Sequence, residues 1–168
     1  DVLSSRGLGD VYKRQQIGQD IVGENINDRL GASVKINSDG TIALVSIVNR
    51  DIPGTSNVGS VKVYSQLNDN WVQLGNEVFG DDIVGEFGSR TSISDDGLTF
   101  SAGAPFASSG PYHAGYVRVY EFVNNDWSLK GQSIDGEGYL HMLSYSSLSG
   151  DGNTIAVWSS SASSNGLS

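Results

Sequence analysis

The residues best suited to chemistry in this chain are carboxylates placed in loops. Glu24, Asp81 and Glu137 each follow a glycine directly, as Gly23-Glu24, Gly80-Asp81 and Gly136-Glu137. Asp28, Asp82 and Glu86 stand within a few residues of the first two, and Asp51, Tyr112 and His113 occupy other polar loops. Short loop carboxylates commonly accept backbone N–H bonds and fix turns, the plainest role for such residues. Their functional use would be recognition, through hydrogen bonds to a partner's polar groups with Tyr112 and His113 adding aromatic contact. Covalent chemistry needs a convergent set: His113 and His141 are isolated and no serine near them stands in a nucleophile motif. A non-catalytic chain is therefore expected.

The elements that must position these loops are written as a repeat of about 56 residues. Gly18, Gly23, Gly31 and Gly40 recur 57 residues later as Gly75, Gly80, Gly88 and Gly97. Gly59, Tyr64 and Trp71 recur 56 residues later as Gly115, Tyr120 and Trp127, and a third copy runs from Gly131 and Gly136 through Asp151-Gly152. Within each unit apolar and polar residues alternate over short runs, the period of strands. Asp39-Gly40, Asp96-Gly97 and Asp151-Gly152 read as hairpin turns, with Asp-Gly supplying the positive φ angles of a tight primed turn. Four short strands per unit of this length predict an all-β chain, a partial β-propeller of about two and a half four-stranded antiparallel blades. The blades are expected at 30–79 and 87–134, with the first half of a third at 143–168. Residues 16–29 would close a preceding blade, Gln16 to Val22 as the tail of its outer strand, and connect to the next. Trp71 and Trp127 are expected to pack between blades, and Lys62 and Arg118 to lie along the neighbouring blade. The loops between second and third strands, Asn49 to Asn57 and Phe106 to Ala114, differ between copies while the strands agree. A scaffold carrying recognition loops has that pattern.

A propeller of such blades needs at least four, so the chain reads as a slice whose partners include the remaining blades of its parent. The formal charge of −9 argues against nucleic-acid backbones and anionic membranes. There is no cysteine for a disulfide or thiolate site, and no apolar run reaches the length of a spanning helix. Residues 1–15 break the pattern. Their string Arg6-Gly7-Leu8-Gly9-Asp10-Val11-Tyr12-Lys13-Arg14-Gln15 resembles translated sequencing-adaptor sequence, and the segment is expected to be a non-native, disordered leader.

Phe87-Gly88 followed by Gly103-Ala104-Pro105 resembles the signature of FG-GAP repeats, the blades best known from integrin α subunits. The resemblance implies a propeller in a larger exported or cell-surface protein, a module for adhesion or for binding protein or glycan. Calcium-binding copies of that family carry an Asp-x-Asp/Asn-x-Asp-Gly loop. Here the span is shortened to Asn37-Ser38-Asp39-Gly40, Ser94-Asp95-Asp96-Gly97 and Ser149-Gly150-Asp151-Gly152. Calcium takes six to eight oxygen ligands, so no cofactor or metal is expected in these copies. Ser38-Asp39-Gly40-Thr41 also resembles the hairpin of tryptophan–aspartate-repeat propellers, and Asp95-x-Gly97-x-Thr99-Phe100 partly resembles the Asp-box of sialidases. The arginine cluster such an enzyme needs is not apparent. The alternatives to a binding module are thus a purely architectural propeller or a non-catalytic part of a glycan-processing enzyme.

Overall fold

A computed structural model describes residues 16–108, 114–137 and 141–159. The leader at 1–15 and the site candidates Tyr112 and His113 lie outside the described residues. The chain is all-β, and its antiparallel sheets are arranged as the blades of a partial propeller.

The first blade runs β1 (Leu30–Ile36), β2 (Ile42–Ile47), β3 (Ser60–Leu67) and β4 (Asn70–Gln73), each hydrogen-bonded to the next. The short β5 (Val78–Phe79) pairs with the opening residues of β3, at Ser60 and Val61. The outer strand is therefore broken in two at Leu74 to Glu77, around Gly75 with its φ of 70°. The second blade repeats this with β6 (Arg90–Ile93), β7 (Thr99–Ala104), β8 (Tyr116–Val123), β9 (Asp126–Leu129) and β10 (Ile134–Asp135), broken around Gly131. A two-stranded third sheet, β11 (Leu143–Leu148) and β12 (Ile155–Ser159), follows. Gln16 to Val22 form no strand; instead the Gln19 side-chain amide brackets the backbone of Trp71, donating to its carbonyl and accepting from its N–H.

The turns divide by chemistry. Asn68-Asp69 and Asn124-Asn125, joining β3 to β4 and β8 to β9, have both central residues at positive φ, the primed geometry that suits a twisted hairpin. At Asp39-Gly40 only the glycine is left-handed, and Gly40 N–H bonds back to Asn37 O at 3.2 Å. That is a type I turn followed by a left-handed glycine, not the primed turn expected. The cause is Asp39, whose carboxylate caps the N–H and hydroxyl of Thr41 and so holds the chain in the ordinary turn.

The main core lies between blades. Leu44, Val61 and Val63 of the first face Phe100, Tyr120 and Trp127 of the second, all nine-tenths or more buried. Phe100 stacks on Tyr120 at 5.2 Å and meets the Trp127 ring edge-on at 4.8 Å, geometries in which aromatic pairs attract beyond their burial. The inner hairpins are also tied in series. Ser38 N–H donates to Asp95 O at 3.2 Å, and Asp95 N–H to Gly150 O at 2.8 Å.

Candidate functional site

Two kinds of segment build one edge of the blades. The connecting segments 23–29 and 80–87 lead from an outer strand to the next inner strand, and the loop 48–59, with the described ends 105–108 and 114–115 of its counterpart, joins second and third strands. They are laced by backbone bonds: Asn49 N–H to Asp28 O, Val84 N–H to Ser56 O, and Phe87 N–H to Val58 O. The candidate carboxylates are thereby gathered on one rim.

At the first blade the rim is organised by Arg50. Its guanidinium reaches Glu24 at 2.6 Å, Asp28 at 3.1 Å and Glu77 at 3.1 Å, with its side chain 13% exposed. The third approach is through Nε and lacks hydrogen-bond geometry, although the neighbouring nitrogen donates to Glu77 at 3.3 Å. Lys62 joins the same group through Glu24 and Glu77. Burial pulls the Lys62 ammonium down, but the two carboxylates outweigh it and the net shift is upward. The hydrogen bonds from Lys62 and then Arg50 hold the Glu24 carboxyl at about 2. Ser60 donates to Glu77 at 2.6 Å and completes the network. Glu24 and Asp28 are thus brought together, but each is engaged by basic side chains of the chain itself, Asp28 buried and Glu24 half-exposed.

The second blade solves the same junction differently. Arg118 donates to Asp81 at 2.8 Å and lies over the Tyr116 ring at 4.2 Å, while the Tyr116 hydroxyl donates to Asp81 at 3.1 Å. Burial pushes Asp81 up, yet the Arg118 contact wins and its carboxyl is lowered. Burial and then the Asp81 charge raise the adjacent Asp82.

Two recesses open on this rim. The first, of about 400 Å³, is lined by Asn25, Asn27, Asp28, Asn49, Asp51 and Asn57. Asn27 and Asn57 have positive φ, a conformation asparagine tolerates better than most side chains, and Asp51 accepts the Asn57 N–H at 2.7 Å. Ile26 stands over it 93% exposed. The second, of about 210 Å³, lies where blade two meets the third sheet, and Glu86, Arg90, Phe106 and Tyr145 contribute to its wall. Arg90 donates to the Tyr145 hydroxyl at 3.1 Å and sits over that ring at 4.7 Å. Of the sequence candidates, Asp28 and Asp51 share the first recess and Glu86 borders the second; Glu24, Asp81 and Asp82 line neither.

Glu77, Lys62 and the four recess asparagines complete the rim and were not among the sequence candidates. Lys62 carried a signal, because it recurs as Arg118 one repeat on, as Glu24 recurs as Asp81. Glu77 has no acidic counterpart at Ser133 and carried none.

The hairpin carboxylates on the opposite edge close their own turns: Asp96 accepts Leu98 N–H and Ser94 Oγ, and Asp151 accepts Asn153 N–H and Ser149 Oγ. Among the described residues no three His, Asp or Glu side chains converge as metal ligands. The rim can offer amide and carboxylate hydrogen bonds in one recess and an arginine with aromatic rings in the other.

No protein-family model matches the chain, and no curated protein matches it.

Proposed function

We propose that this chain is a non-catalytic recognition module of a larger exported or cell-surface protein, binding protein or glycan through the rim of its connecting and second-to-third-strand loops. One observation carries the reading. The two recesses stand on one rim, yet the first is lined by four asparagines with Asp28 and Asp51, whereas the second sets Arg90, Phe106 and Tyr145 beside Glu86. Strands and turns that agree between copies serve the fold; walls that differ are where selectivity resides. An asparagine-rich recess suits hydroxyl-bearing ligands, since each amide both donates and accepts.

The test is a binding screen of the chain against immobilised oligosaccharides and extracellular proteins, repeated with Asn27→Ala, Asn49→Ala and Asp51→Ala. Loss of a ligand in these variants, with Lys35→Ala on exposed β1 unaffected, supports the proposal. Binding that is indifferent to all three sinks it.

The internal engagement of Glu24, Asp28 and Asp81 favours a second reading, an architectural propeller in which the acidic rim only fastens blades. A chain that binds nothing in the screen, and whose rim variants change only its melting temperature, would be such a scaffold.

A further inference from the structure

Each blade is fastened to its neighbour at two points that keep fixed spacings. On the receiving side a glycine is followed six residues later by an acid: Gly18 and Glu24, Gly75 and Asp81. On the inserting side a basic residue is followed nine residues later by tryptophan: Lys62 and Trp71, Arg118 and Trp127. The structure joins acid to base, as Glu24 to Lys62 and Asp81 to Arg118. It also joins each tryptophan to the carbonyl preceding the glycine. Trp71 Nε1 donates to Ile17 O at 3.1 Å and Trp127 Nε1 to Leu74 O at 2.8 Å. The glycines are needed there, because a Cβ would lie 3.0 Å from the Trp71 ring at Gly18 and 2.8 Å from the Trp127 ring at Gly75.

A third receiving side is present and open. Gly131 and Glu137 keep the spacing of six. A Cβ on Gly131 would meet nothing within 4 Å, and Glu137 is exposed without a partner among the described residues. Beside them lies a recess of about 190 Å³ whose wall includes Val119, Ile134, Leu148 and Ile155. By repeat position these match Val63, Val78, Ile93 and Phe100, residues that line the filled core between the first two blades. Among the described residues that line this recess, none takes the place that Tyr120 and Trp127 hold in that core. Further, β2 and β7 pair on both sides, whereas among the described residues β12 pairs with β11 alone.

We propose that this face is a docking site for one kind of partner, a β-strand pair with the pattern Val-(Lys/Arg)-Val-Tyr and a tryptophan nine residues after the base. Its first strand pairs with the free edge of β12, its base meets Glu137, and its indole enters over Gly131 to bond the Lys130 carbonyl. The repeated geometry of two filled junctions and the charge of Glu137 specify the occupant.

The test extends the full chain after Ser168 with a second copy of residues 114–131. This keeps the eleven-residue connection found between β7 and β8 and holds the strand pair at high effective concentration. Hydrogen exchange of the β12 amides is then compared with that of the unextended chain. The expected result is slowing by about tenfold or more, as for a newly paired strand held by a charged hydrogen bond. Glu137→Lys should remove most of the slowing, and Arg118→Glu placed in the appended copy of that variant should restore it. Trp127→Ala in the appended copy should also abolish it. Unchanged β12 exchange, or slowing indifferent to the charge reversal, overturns the proposal. Glu137 is exposed, so its substitution leaves the existing blades folded and either result is readable.

Discussion

Trp127 on β9 donates its indole N–H to the carbonyl oxygen of Leu74, 53 residues earlier, and thereby closes the junction between two blades. The ring is 9% exposed and touches Phe100 and Phe122, so it serves both as core and as a hydrogen-bonded latch. Trp127→Ala should therefore destabilise the chain by about 3–5 kcal/mol, the cost of removing a large buried aromatic. Urea unfolding measures it. A near-neutral result would mean the interblade core is not closed as described.

The glycine beneath that ring gives a paired prediction. Gly75 and Gly131 both have positive φ, 70° and 80°, so alanine strains the backbone at either. Only at Gly75 does the new Cβ also strike an indole. Gly75→Ala should cost about 1–3 kcal/mol more than Gly131→Ala, the range for overpacking a core. Equal costs would place the whole effect in the backbone.

Arg50 sits among three carboxylates that pack around it, and removing it leaves two buried charges, Glu77 with Lys62 as its remaining cation and Asp28 with only the Asn25 amide. Arg50→Ala is expected to cost about 3–5 kcal/mol, the usual consequence of breaking a buried ion pair from one side. Arg50→Ala with Glu77→Ala should lose less than the two single changes added together, because the pair share one interaction. Strict additivity in that double-mutant cycle would show the contact contributes nothing.

How much of this was legible beforehand differs by residue. The strands around Leu44, Val63 and Phe100 follow from alternation, and the blade length follows from the spacing of recurring glycines. The break in each outer strand does not, since alternation is silent about a residue such as Gly75 whose role is to admit an indole from the next blade. On the rim, Glu24 was found by its recurrence. Its partner Lys62 recurs with it, but sequence alone does not say that a base in one strand lies against an acid 38 residues before it. Glu77 was invisible for a physical reason: it occurs in one copy only, and long-range loop packing has no local period, so the recess asparagines were legible only as parts of loops that differ between copies and not as one site. Asp81 illustrates the converse, a residue singled out as a recurring loop acid for recognition that is engaged by Arg118 and Tyr116.

Acid sensitivity follows from Glu24. Its carboxyl is held at about 2 in the folded chain, chiefly by the hydrogen bond from Lys62, against an ordinary value of 4.5. A depressed folded value means that the folded state binds fewer protons than the unfolded state between these limits. Its contribution is then complete above about 4.5 and is lost as pH falls toward about 2. Because the Glu24 side chain is 54% exposed, solvent screens the interaction and the contribution is modest. Glu24→Gln should lower stability near neutral pH and make the loss of stability through that acid window shallower than in the unsubstituted chain. Urea midpoints followed across the window decide it: parallel curves for the two proteins would show that Glu24 carries no linked proton.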